Sequence, residues 1–252
     1  MSSGRDALTI VRVQRWSLWS GPVFLAVFFG GILCAGWLPP MRANLSAQQV
    51  ASIYADHTDR IRLGAVLIGM SGPFQGIWSA LMSCQLRRIE RDRPLLTYLQ
   101  LVAGGVGILV VVIPAFVFGA AAFEPGRDPE ITKALNDLGW LTMVGIGWPT
   151  VLQCLAVAGA VLTDHSEDPV FPRWFGWFNL WAILGLIPGP FLLFFHTGPF
   201  AWNGAATFWL PATVFGVWFA VWFVVLRRAI ADEESELMSF SISAHGNAAV
   251  AP

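Results

Sequence analysis

Charge is what this sequence holds least of. Only 12% of its 252 residues are Asp, Glu, Lys or Arg, about half the share of an ordinary soluble domain. With 56% of residues hydrophobic, a water-soluble fold of this length is excluded. The net charge of −1 removes nucleic acid as a partner, because no basic face is available to neutralise phosphates. Cysteine is scarce as well. Cys34, Cys84 and Cys154 lie far apart within apolar runs and lack a C-x-x-C pair. Neither a disulfide framework nor a zinc site follows, and all three read as small packing residues.

Histidine is equally restrictive. A haem held between helices needs two facing imidazoles inside the membrane. Of His57, His165, His196 and His245, only His196 touches an apolar run, so no cofactor is expected. Neither G-x-S-x-G nor H-E-x-x-H occurs, and these are the motifs that would mark a hydrolase. Catalysis would rest on His57 or His196 meeting Asp56, Asp59 or Asp137 without a supporting motif. The apolar runs also lack Asp, Glu and Lys in their interiors. Proton pumps and voltage sensors place ionisable groups there, so both classes are disfavoured.

What the chain has in quantity is apolar length. A bilayer core needs about 20 consecutive apolar residues per helix. Six segments supply them: Trp16–Leu38, Leu63–Cys84, Leu95–Ala120, Gly139–Leu162, Trp174–His196 and Ala206–Arg228. Unbroken runs are not the alternating pattern of barrel strands, and only helices or closed barrels satisfy their backbone in lipid. The expected fold is an all-α integral membrane protein, a six-transmembrane-helix bundle spanning 1–230 as one domain. Arg5, Arg12, Arg15, Arg87, Arg88, Arg91, Arg93, Arg173, Arg227 and Arg228 flank one side, against Arg42, Arg60, Arg62, Arg127 and Lys133 on the other. By the positive-inside rule both termini lie in the cytoplasm, in a cytoplasmic (inner) membrane. The first run is too long for a cleavable signal core, and no A-x-A site follows it.

Two outer loops carry helix signals. Ser46 and Gln49 stand at capping-box spacing, and Val50, Ile53, Tyr54, His57 and Ile61 form one stripe behind them. Asp128 then offers an N-cap, with Pro129 at the first helical position. Two short interfacial outer helices are expected there. The tail, 231–252, is acidic and then small and polar. It should hold helix for a turn or two before order is lost.

Site candidates are few. Gln75 and Gln153 are polar residues inside spans, either helix–helix glue or the floor of a cavity. Five prolines, Pro73, Pro114, Pro149, Pro190 and Pro211, fall in the outer half or near the middle of their spans. A proline withdraws the hydrogen bond to the carbonyl four residues earlier, so kinks gathered at one depth suggest a bundle that opens outward. His196 and Trp202 would sit near the rim. In "TDHSEDP", Asp164, His165, Glu167 and Asp168 are potential metal ligands, although a solvated acidic loop reads the same way. Gly-Pro-Phe occurs at Gly72–Phe74, Gly189–Phe191 and Gly198–Phe200. Its first two copies fit the middle helices of two inverted three-helix halves. The third fits an outer hairpin, with an Asn203-Gly204 turn and with Phe200 and Trp202 anchored at the headgroups. The leading functional reading is a small transporter or binder of a lipophilic solute. The alternatives are a subunit packing against a membrane partner or a second copy, and a membrane-embedded enzyme.

Overall fold

The computed structural model describes residues 2–248, with side chains over 8–239. Every regular element among the described residues is helical: α1 (Ser2–Ser17), α2 (Ser20–Cys34), α3 (Ala47–Asp56), α4 (Thr58–Glu90), α5 (Leu95–Phe123), α6 (Pro129–Gly145), α7 (Trp148–Leu162), α8 (Arg173–Leu186) and α9 (Leu210–Ala248). A 3₁₀ segment, Gly189–Phe194, follows α8, and a π turn, Ala205–Trp209, precedes α9. Six stretches are long and apolar enough to cross a bilayer: Leu8–Cys34, Thr58–Glu90, Leu95–Phe123, Pro129–Leu162, Arg173–Phe194 and Ala205–Ser239. The chain is a multi-pass membrane protein, and each stretch overlaps one of the six apolar runs.

The antiparallel pair α4 and α5 forms the centre. α2 packs along α4, α6 and α7 along α5, and α8 and α9 close the remaining side. Glycine sets the tightest crossings. A Cβ on Gly31 would lie 2.8 Å from the Gly64 carbonyl oxygen, and one on Gly64 would lie 2.6 Å from that of Gly31. Backbone therefore meets backbone where α2 crosses α4, which a larger residue would prevent. The start of α5 is held by Glu90, whose carboxylate accepts from the backbone N–H groups of Leu96 at 3.0 Å and Thr97 at 2.6 Å. Negative charge at a helix N-terminus is favourable for this reason.

Several local expectations hold. The Ser46–Gln49 capping box starts α3 with both reciprocal bonds. Val50, Tyr54 and Ile61 are buried, and the Tyr54 hydroxyl donates to Asn136 Oδ1 of α6 at 3.2 Å. Asp128 caps α6 by accepting from the Glu130 N–H at 2.8 Å.

Others need correction. His57 is exposed at the α3–α4 junction, because α3 ends at Asp56 before the stripe reaches it. Among the described residues the second outer helix is not separate from the fourth span. Pro129–Gly145 runs straight on as the first half of the fourth span, and the chain breaks at Ile146–Gly147 instead. The tail does not fray after a turn or two. α9 continues to Ala248, and its acidic turn is clasped by polar groups of α1 and α4. Gln85 Nε2 donates to Gln14 Oε1 at 2.5 Å and to Glu233 Oε2 at 2.7 Å. Arg88 pairs with Glu236 at 2.9 Å, and Arg15 with Glu234. Residues 249–252 of that tail lie outside the described residues.

Candidate functional site: a cavity where three spans are interrupted

The prolines do not act alike. Pro73 and Pro114 sit inside α4 and α5, which pass through them as continuous helices. Around the other three the chain leaves the α-helix. The fourth span stops at Gly145 and restarts at Trp148, just before Pro149. The fifth leaves the α-helix at Leu186 and tightens to 3₁₀ through Pro190. The sixth begins as a π turn that becomes α-helix at Leu210, just before Pro211. Glycine holds a helical turn poorly, and a proline beside it removes the donor that would close the turn. The two copies of Gly-Pro-Phe assigned to inverted halves thus differ in local conformation: one is α-helical, the other 3₁₀.

The fourth and fifth spans meet at their interruptions. A Cβ on Gly189 would lie 3.3 Å from the Val144 carbonyl oxygen, and one on Gly147 would lie 3.6 Å from that of Leu186. Beside this meeting point is a cavity of about 140 Å³, to which all six spans contribute wall. Phe24, Phe28, Phe29 and Ile32 of α2 form one side. Met143, Val144, Ile146, Gly147 and Thr150 at the break in the fourth span form another. Val110, Leu186 and Thr207 also line it. These are the residues four before Pro114, Pro190 and Pro211, whose carbonyls lose their α-helical donor.

Gln75 reaches this cavity from α4. It is only 8% exposed, and its Oε1 has no hydrogen-bond partner. The other glutamines of the α4 region are satisfied. Gln100 Nε2 donates to Ser79 Oγ at 3.2 Å, while the Ser83 hydroxyl donates to Gln100 Oε1. An orphaned buried amide costs free energy that a paired one does not. Its place beside empty volume is the site's distinguishing feature.

The remaining candidates scatter. Gln153 is buried beside Gly104, where a Cβ would lie 2.9 Å from its Nε2 and would fall on Ser79 Oγ. It packs the α5–α7 seam and does not form cavity wall. His196 is exposed beyond the 3₁₀ segment. Trp202 is no headgroup anchor. It is buried, and its Nε1 donates to the Met41 carbonyl at 2.7 Å, because the loop before α3 folds over it. A turn does close there, the Gly204 N–H donating to the Ala201 carbonyl at 2.7 Å across Asn203, but the positive φ of the loop falls on Gly198, at +80°, and not on the Asn203-Gly204 pair. Thr207 ties this loop to the cavity by donating its hydroxyl to the Ala201 carbonyl. Asp164 accepts from the Ser166 N–H at 3.0 Å and from its hydroxyl at 2.7 Å. Asp164, His165, Glu167 and Asp168 do not converge, and no group of three or more metal-ligand side chains occurs among the described residues.

The cavity's five phenylalanines, Phe24, Phe28, Phe29, Phe208 and Phe215, were not singled out from the sequence. A partial signal was present: counting four residues back from the five prolines marks Val110, Leu186 and Thr207 of the wall, and also Gly69 and Gly145, which do not line it. No protein-family model, no curated protein and no solved structure matches this chain.

Proposed function

We propose that this protein binds a small lipophilic solute in the cavity between its interrupted spans and passes it across or out of the membrane. What supports this reading is the coincidence, at one place, of unfilled volume, an unpartnered buried amide oxygen, one broken span and the non-α ends of two others. Transporter folds use discontinuous helices in this way to expose backbone at a midplane site, and helix interruptions are tolerated in a bilayer only where neighbours or a cavity accommodate them. In this proposal both termini are cytoplasmic and the cavity opens outward. The partner-subunit reading loses its main support, since Gly104 and Gly107 face Ser79 and Gln75 inside the bundle. The enzyme reading gains no clustered ligands.

The test is a single cysteine at Ala212, on the cavity wall, with Cys34, Cys84 and Cys154 replaced by serine. In right-side-out vesicles a membrane-impermeant thiol reagent should label it, and added toluene should slow the labelling. Failure to label from either side, or labelling from the inside alone, would overturn the proposal.

A further inference from the structure

We infer that the cavity is built for a small uncharged alcohol or phenol, about the size of one ring, whose hydroxyl meets the amide of Gln75. This rests on the solute-binding reading above and adds the chemistry of the occupant.

Size comes first. A volume of about 140 Å³ is close to the engineered cavity of about 150 Å³ that stays dry and takes up benzene. A single ring or a short branched chain fits, whereas a lipid tail with its headgroup does not. Charge comes next. No Asp, Glu, Lys, Arg or His lines the wall, so an ionised guest would be buried without a counter-charge, at a cost apolar contact does not recover. The five phenylalanines favour a flat or compact apolar body.

The polar group on that body is set by Gln75. An amide offers an acceptor and two donors, and its Oε1 is buried without a partner. Neither wall threonine serves it: Thr207 donates its hydroxyl to the Ala201 carbonyl, and Thr150 makes no bond to the amide oxygen. A pure hydrocarbon would leave the amide orphaned, and a carboxylate would bring charge. A hydroxyl gives one hydrogen bond and accepts another, so it satisfies an amide at either end.

The experiment is equilibrium binding of phenol, anisole and toluene to the protein in lipid nanodiscs, corrected against empty nanodiscs. The wild type should bind phenol roughly tenfold more tightly than toluene, the size of effect expected when a buried orphan gains its partner. Anisole, which cannot donate, should fall short of phenol. In Gln75→Leu the phenol preference should vanish while toluene still binds. Ala212→Phe, which adds a ring to the cavity wall while keeping Gln75, should weaken all three. Equal affinity for phenol and toluene in the wild type overturns the hydroxyl assignment and leaves the cavity reading standing. So does a phenol preference that survives in Gln75→Leu. No saturable binding by any probe overturns both.

Discussion

Gln75 and Gln100 face the same α4–α5 seam, yet they carry opposite energies. Gln100 is enclosed by Ser79 and Ser83, with its amide paired at both ends, so it fastens the two helices together. Gln75 is buried with an unpaired oxygen, so it costs stability in the empty protein. Replacing each by leucine separates them. Gln75→Leu should raise the thermal stability of the ligand-free protein in detergent by about 1 kcal/mol, since a leucine of similar size removes an orphan. Gln100→Leu should lower it by about 1–3 kcal/mol, because Ser79 Oγ loses its donor and the Ser83 hydroxyl keeps only the Ser79 carbonyl as acceptor inside a low-dielectric core. Equal destabilisation by both changes would mean that Gln75 is simply another seam residue. A residue that weakens its own fold while facing empty space fits a binding role, where stability is commonly given up for function.

At the scale of elements, the apolar runs announced the spans because lipid demands about 20 apolar residues per helix whatever their packing. The capping residues Ser46 and Asp128 announced two helix starts, because a cap is a local bond between residues two or three apart. The breaks were harder to place. All five prolines looked alike in sequence, but α4 and α5 lie against each other along their length and stay helical through Pro73 and Pro114. Gly145 and Gly147 beside Pro149 leave no such turn intact. Trp202 was misplaced for a similar reason: aromatic character predicts an interface, while its burial depends on a loop 161 residues away in sequence.

The docking of α3 gives a pH test at this scale. Burial, with Asp137 adding its negative charge, pushes the Tyr54 phenol well above its ordinary range. A phenol raised in the docked state and ordinary when released stabilises docking fully below about pH 10, and that contribution falls away as pH rises further. Protection of the α3 amides, corrected for the base-catalysed intrinsic rate, should therefore fall above that pH in the wild type. Tyr54→Phe should show slightly lower protection at neutral pH and no such fall. Identical pH profiles for the two proteins would remove Tyr54 from the account.

Taken whole, the molecule is a bundle whose two ends are built differently. At the end holding α1 and the acidic turn of α9, a clasp runs from Gln14 through Gln85 and Arg88 to Glu233 and Glu236. Elsewhere one span breaks within its length and two others leave the α-helix at their ends around one cavity. From sequence the acidic run marked where helix gives way to a disordered tail, because 231–252 holds little apolar content. Its partners, Arg15, Gln85 and Arg88, lie in two other helices far away along the chain, so no local pattern could reveal the clasp. The cavity was legible only as an excess of prolines at similar depth, with Gln75 and Pro211 the named residues that proved to line it. The account stands or falls on whether that cavity receives a solute. The direct measurement is an experimental structure in a lipid nanodisc equilibrated with para-iodophenol. The account predicts one iodine-marked ring between the phenylalanines of α2 and the break at Ile146–Gly147, its hydroxyl within hydrogen-bond distance of Gln75. A cavity closed by its own side chains, with the iodinated ring found only among the surrounding lipids, would contradict it.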